Sequence, residues 1–85
     1  MASQFQLGER YFKGEGTAVN FTEAAKWYQK AAESNHADAQ FALSSMYQHG
    51  IGVTQDNAHA AKWLQAAADH GHTRARDELA KYPAR

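Results

Sequence analysis

The chain has 85 residues, a length that allows one domain with a modest core. Nine Lys and Arg balance nine Asp and Glu, so neither the basic excess of a nucleic-acid binder nor a strong attraction to anionic membranes is present. The absence of cysteine excludes disulfides, thiolate zinc sites and cysteine nucleophiles.

The first predicted element is a helix over about 3–13, in the stretch QFQLGERYFK. Leu7 and Tyr11 stand four apart and form its apolar stripe. Gly14 ends it by taking a left-handed conformation just past the last turn, with Lys13 near the carbonyl end. A seven-residue loop, Gly14 to Asn20, follows. Its GxG pair has a helix rather than a strand before it and lacks a third glycine, so a phosphate-binding loop is declined in favour of a turn. The second helix is expected over about 21–34, with Asn20 as N-cap and Glu23 completing a capping box. Ala24, Trp27, Tyr28 and Ala31 share one face, and Asn35 stops the helix in the left-handed region.

The third helix is expected over 37–49, on the row Ala39, Leu43 and Tyr47, and ends at Gly50. The loop Gly50 to Asp56 repeats the first. The fourth helix, about 57–70, is capped by Asp56 with His59 in place of the glutamate. Ala60, Trp63, Leu64 and Ala67 share its face, and Gly71 stops it. The fifth, about 73–82, ends before Pro83.

These elements form a repeat. Trp27 and Trp63 are 36 apart (63 − 27), and the same offset pairs Gln4 with Gln40, Phe5 with Phe41, Leu7 with Leu43, Tyr11 with Tyr47, Gly14 with Gly50, Gly16 with Gly52 and His36 with His72. A period of this size signals a solenoid of helix pairs. A third copy begins with Ala75 and Leu79 and then fades, as a terminal cap should. The expected organisation is one domain over 1–85: repeat 1 about 1–36, repeat 2 about 37–72 and a capping helix about 73–82. Recurrence at one offset assigns the tryptophans and tyrosines to the core. Ala25, Ala32, Ala61 and Ala68, with Gly8, Ser44 and Ala80, are expected where backbones approach closely.

The stretch AQFALSSMYQHGIGVTQDNAHAAKWLQAAADHGH resembles the Sel1-like repeat family, relatives of the tetratricopeptide repeat. The resemblance is carried by Ala37, just before that stretch, and by Ala39, Gln40, Leu43, Tyr47, Gly50, Gly52, Val53, Asp56, Ala60, Trp63, Ala67, Ala68 and Gly71. Ser44 departs from the glycine the family prefers, Leu64 from tyrosine and Thr17 from valine. The resemblance implies an all-α, right-handed α/α superhelical solenoid of two helix pairs and a capping helix. It also implies a scaffolding role toward other proteins, and by likeness to tetratricopeptide units a concave face lined by the first helix of each pair. The candidate contact residues on that face are Phe5, Glu9, Phe12 and Lys13 from the first helix. Phe41, Ser45, Gln48 and His49 come from the third, beside Asp38, and Asp77 from the fifth, beside Arg74 and Lys81. Phe12, with no aromatic counterpart, is preferred over Phe5 as a contact residue.

The expected function is a protein-binding adaptor that takes a peptide or helix in this groove, with no catalysis, cofactor, metal, nucleic acid or membrane. The alternatives are a structural, self-assembling repeat segment and, more remotely, a small hydrolase. His70 and His72 beside Asp69 lack the helical spacing of a ligand set, and His36 and His72, each just before a helix, suggest capping. The first helix has no polar helix before it, and Phe5 and Phe12 would be left outward. Self-association through the N-terminal face, or origin in a longer array, is therefore expected. No apolar run approaches the roughly 18 residues of a membrane span, and MASQFQLGERY contains no apolar leader core. The default location is cytoplasmic, or periplasmic if a leader has been trimmed.

Overall fold

Short side chains placed just before each apolar stripe set where the helices begin. In the computed structural model, which describes residues 3–81, Ser3 opens α1 (Gln4–Lys13) with a full capping box: its hydroxyl accepts the Gln6 N–H, and the Gln6 side chain accepts the Ser3 N–H. Asn20 opens α2 (Phe21–Glu33) by accepting the Glu23 N–H. The reciprocal half of the predicted box does not form there, because the Asn20 N–H donates instead to the Tyr11 carbonyl at 2.9 Å. Asp56 opens α4 (Asn57–Asp69) and likewise donates its N–H to the Tyr47 carbonyl at 3.0 Å. These two bonds tie each GxG loop back to the helix before it.

The histidines act as caps. His36 opens α3 (Ala37–His49), its Nδ1 accepting the Ala39 N–H at 3.2 Å, and His72 does the same for α5 (Thr73–Lys81) through the Ala75 N–H at 3.1 Å. The other nitrogen of His72, Nε2, donates to Asp38 at 3.0 Å and so fastens the fifth helix to the third. Gly14 and Gly50 end α1 and α3 in the left-handed region, and Asn35 and Gly71 adopt the same region after α2 and α4. Pro83 lies outside the described residues.

Each helix packs chiefly against its neighbours in sequence: α1 on α2 and α3 on α4 within the pairs, α2 on α3 and α4 on α5 between them. The result is an elongated stack of 42 × 25 × 17 Å, an all-α solenoid among the described residues. The larger core cluster joins Ala24, Ala25, Tyr28, Ala31 and Ala32 of α2 to Ala39, Leu43 and Met46 of α3. The smaller one joins Leu64, Ala67 and Ala68 of α4 to Ala75 of α5. Alanines dominate these seams because a methyl group lets two helices approach closely. Ala61 and Ala80, expected in such seams, are exposed instead. Ala25 is buried in the larger cluster, which spans two layers, whereas its counterpart Ala61 belongs to neither cluster, and no further helix pair covers Ala80 among the described residues.

Trp27 and Trp63 are half-buried rather than enclosed. Trp63 packs at the edge of the larger core, and the ammonium groups of Lys30 and Lys62 lie 4.5 and 5.8 Å from the Trp27 and Trp63 ring centres. Gln40 is the buried polar residue that binds the layers together. Its amide nitrogen donates to the Ala32 carbonyl at 3.0 Å, and its oxygen accepts from His70 Nδ1 at 3.2 Å.

Candidate functional site

A groove of about 430 Å³ opens between α3 and α5, within the ~300–1,000 Å³ range of ligand pockets. Leu64 of α4 forms its floor and Phe41 an apolar wall. Ser44, Ser45, Gln48 and His49 come from α3, and Arg74 and Glu78 from α5. The helical repeat explains the α3 set: positions 41, 45 and 48–49 recur on one face, and the neighbouring helices bury the opposite face.

Several of these groups are already engaged. His72, the cap that opens α5, stacks on Phe41 with ring centres 4.6 Å apart and fixes that wall. The Ser44 hydroxyl donates to the Phe41 carbonyl at 2.7 Å, and His49 Nδ1 donates to the Ser45 carbonyl at 3.0 Å. The side chains of Ser45, Gln48 and Arg74 make no hydrogen bond to other described residues and remain open to a ligand.

Four of the nine candidate contact residues, Phe41, Ser45, Gln48 and His49, therefore line one surface, and Arg74 joins them. Asp77 does not line it. Its chain neighbour Glu78 does, one residue further round the helix. The α1 candidates lie elsewhere. Phe5 stacks on His36 at 4.6 Å, Phe12 packs against Phe21 at 5.1 Å, and Glu9 pairs with Lys13 at 3.9 Å. Phe5 and Phe12 thus have intramolecular partners, and the outward apolar surface expected of them is not formed. Phe12, preferred as a contact residue, is half-buried and has the rings of Phe21 and Tyr28 beside it.

Leu64, Arg74 and Glu78 complete the groove. Arg74 was legible as a concave-face residue, whereas Leu64 was read as part of the packed face of the fourth helix and as a departure from tyrosine, not as part of a groove. Among the described residues no three His, Asp or Glu side chains converge as a metal site, and no helix is long and apolar enough to cross a membrane. The shape offers an apolar floor with a mixed polar rim, a surface suited to binding a side chain.

The family model described as Sel1 repeat matches this chain twice, over residues 2–36 and 37–72. Among solved structures, a Sel1 repeat protein from Oxalobacter formigenes superposes with a TM-score of 0.87 at 39% identity, covering 89% of this chain and 31% of that one. A protective antigen present in uropathogenic Escherichia coli strains, which displays an SLR fold, superposes with a TM-score of 0.84 at 38% identity, covering 86% of this chain and 16% of that one. The chain thus spans under a third of the length of either. A search among curated proteins found no match.

Proposed function

The chain belongs to the Sel1 repeat family, whose members generally mediate protein–protein interaction, and on that premise we propose that it is a non-catalytic adaptor binding a partner polypeptide in the groove between α3 and α5. The observation that carries this reading is the groove itself: an apolar floor of Leu64 and Phe41 beside the side chains of Ser45, Gln48 and Arg74, which make no hydrogen bond to other described residues. A preformed pocket of this kind reduces the ordering cost of association, and an anchor side chain seated in it supplies most of the affinity. The occupant is a peptide or helix segment, and the balanced charge of the chain favours neither nucleic acid nor an anionic membrane as the alternative.

Affinity capture with three baits tests the proposal: the unaltered chain, a groove variant (Ser45→Arg with Arg74→Glu) and a control altered at exposed Lys26 on α2. The expected result is a partner retained by the first and third and lost by the second, with helicity equal in all three. Equal capture by all three baits would place the contact outside the groove.

A further inference from the structure

The two helix pairs are one structure carrying different side chains, so the first serves as an internal reference for the second. In the first pair Tyr28 lies against Gly8 so closely that a Cβ on that glycine would meet Tyr28 Cδ1 at 2.7 Å. Phe5 and Phe12 flank the ring, with centres 5.6 and 6.4 Å from it, and Tyr28 is only 5% exposed. Thirty-six residues on (64 − 28 = 36), Gly8 becomes Ser44, Phe12 becomes Gln48 and Tyr28 becomes Leu64, while Phe5 is kept as Phe41. Two of the three aromatic rings are missing from the second pair. The groove is lined by these same four positions: Phe41, Ser44, Gln48 and Leu64. It is therefore the place where the first pair holds a buried tyrosine.

We propose that the groove takes the aromatic side chain of a tyrosine from the partner polypeptide, which completes the second helix pair from outside as Tyr28 completes the first from within. This rests on the reading of the chain as a protein-binding module. The retained wall Phe41, held by its stack on His72, offers the tilted ring contact that Phe5 gives Tyr28. Glu9, whose charge acts on the Tyr28 hydroxyl, corresponds to Ser45 (45 − 9 = 36). Ser45 and Gln48 thus stand where an incoming phenol hydroxyl would need a neutral hydrogen-bond partner. A tyrosine at position 64 itself is discouraged while Ser44 remains, because the Cβ of a residue there projects into the ring's space, as the Gly8 geometry shows. The two exchanges act together: serine excludes the internal ring, and leucine leaves its place open.

The test is a nuclear magnetic resonance titration of the labelled chain with p-cresol and with acetyl-Gly-Tyr-Gly-amide, using acetyl-Gly-Ala-Gly-amide as control. Saturable shifts are expected at Ser44, Ser45, Gln48 and the Leu64 methyls with both aromatic probes, at a Kd on the order of 1 mM as suits ligands this small. The alanine peptide should move none of them. The double variant S44G/L64Y rebuilds the internal ring and should lose the shifts while keeping a folded, dispersed spectrum. Gln48→Phe, which restores the other ring on a more accessible position, is a second plug should the double variant fail to fold. No shifts in the unaltered chain, shifts scattered away from the groove, or shifts undiminished in a folded plugged variant would overturn the proposal. Partner capture undiminished in a folded plugged variant overturns the tyrosine anchor and leaves protein binding standing. Groove shifts that vanish on plugging, in a chain that captures no partner, uphold the ring site and count against the adaptor reading instead.

Discussion

Gly16 and Gly52 occupy the same place in the two loops and have φ values of 75° and 74°, yet their surroundings differ. A Cβ on Gly16 would meet nothing within 4 Å, whereas one on Gly52 would drive into the carbonyl of Phe21 at the start of α2. Gly16→Ala should therefore cost only the left-handed penalty, about 1–2 kcal/mol. Gly52→Ala adds a backbone clash of the kind that costs ~1–3 kcal/mol, for a total of about 2–5 kcal/mol. Urea denaturation of the two variants checks the difference, and equal losses would mean that the loop does not bear on α2. Tyr28 gives a second prediction at this scale. Burial, and to a lesser degree the nearby charge of Glu9, push its hydroxyl up from 10.0 to about 12. A raised phenol favours the fold below the unfolded value, and that contribution is lost as the pH climbs from 10 towards 12, because the unfolded chain ionises first. The tyrosinate absorbance of the folded chain should show a late phase that Tyr28→Phe removes.

The helices show what one sequence conveys and what it leaves out. Helix starts at Asn20 and Asp56, stops at Gly14, Asn35, Gly50 and Gly71, and the capping histidines were all legible, because each depends on a side chain acting within a few residues of itself. The packing depth of the tryptophans was not. Recurrence marks Trp63 as structural but carries no information on how completely α4 is covered, and the ring is half-buried under the Lys62 ammonium. Trp63→Ala should accordingly fall below the ~3–5 kcal/mol of an enclosed aromatic, at about 2–3 kcal/mol. A shift of the thermal midpoint corresponding to more than that would show that the ring supports both helix pairs. Gln40 was visible only as a matched position. Its role needs the α2 and α4 C-termini brought together, with Ala32 and His70 on either side of one amide.

At the scale of the whole molecule, the positions that match across the offset specify the solenoid, and those that differ distinguish its surfaces. Ser44 and Leu64 look mild one at a time. Only the assembled stack, with α3, α4 and α5 around one space, shows that together they open the groove. The same holds at the N-terminal end of the stack. Leu7, Arg10, Tyr11, Glu15, Gly16 and Thr17 line a shallow depression of about 180 Å³ there. Their counterparts in the second pair are Leu43, Met46, Tyr47, Ile51, Gly52 and Val53, which include fully buried Leu43 and Met46 and pack against the inter-repeat core. Three apolar contacts of that interior seam are thus replaced at the end of the stack by Arg10, Glu15 and Thr17. A contiguous apolar patch left in water promotes association, and polar replacements at its centre oppose it. The triple change R10M/E15I/T17V gives the end face the composition of the interior seam. It should raise the weight-average sedimentation coefficient with concentration, relative to the unaltered chain, while leaving the helical signal intact. Matching sedimentation of the two chains across the same concentrations would mean that these three side chains do not keep the end face from stacking.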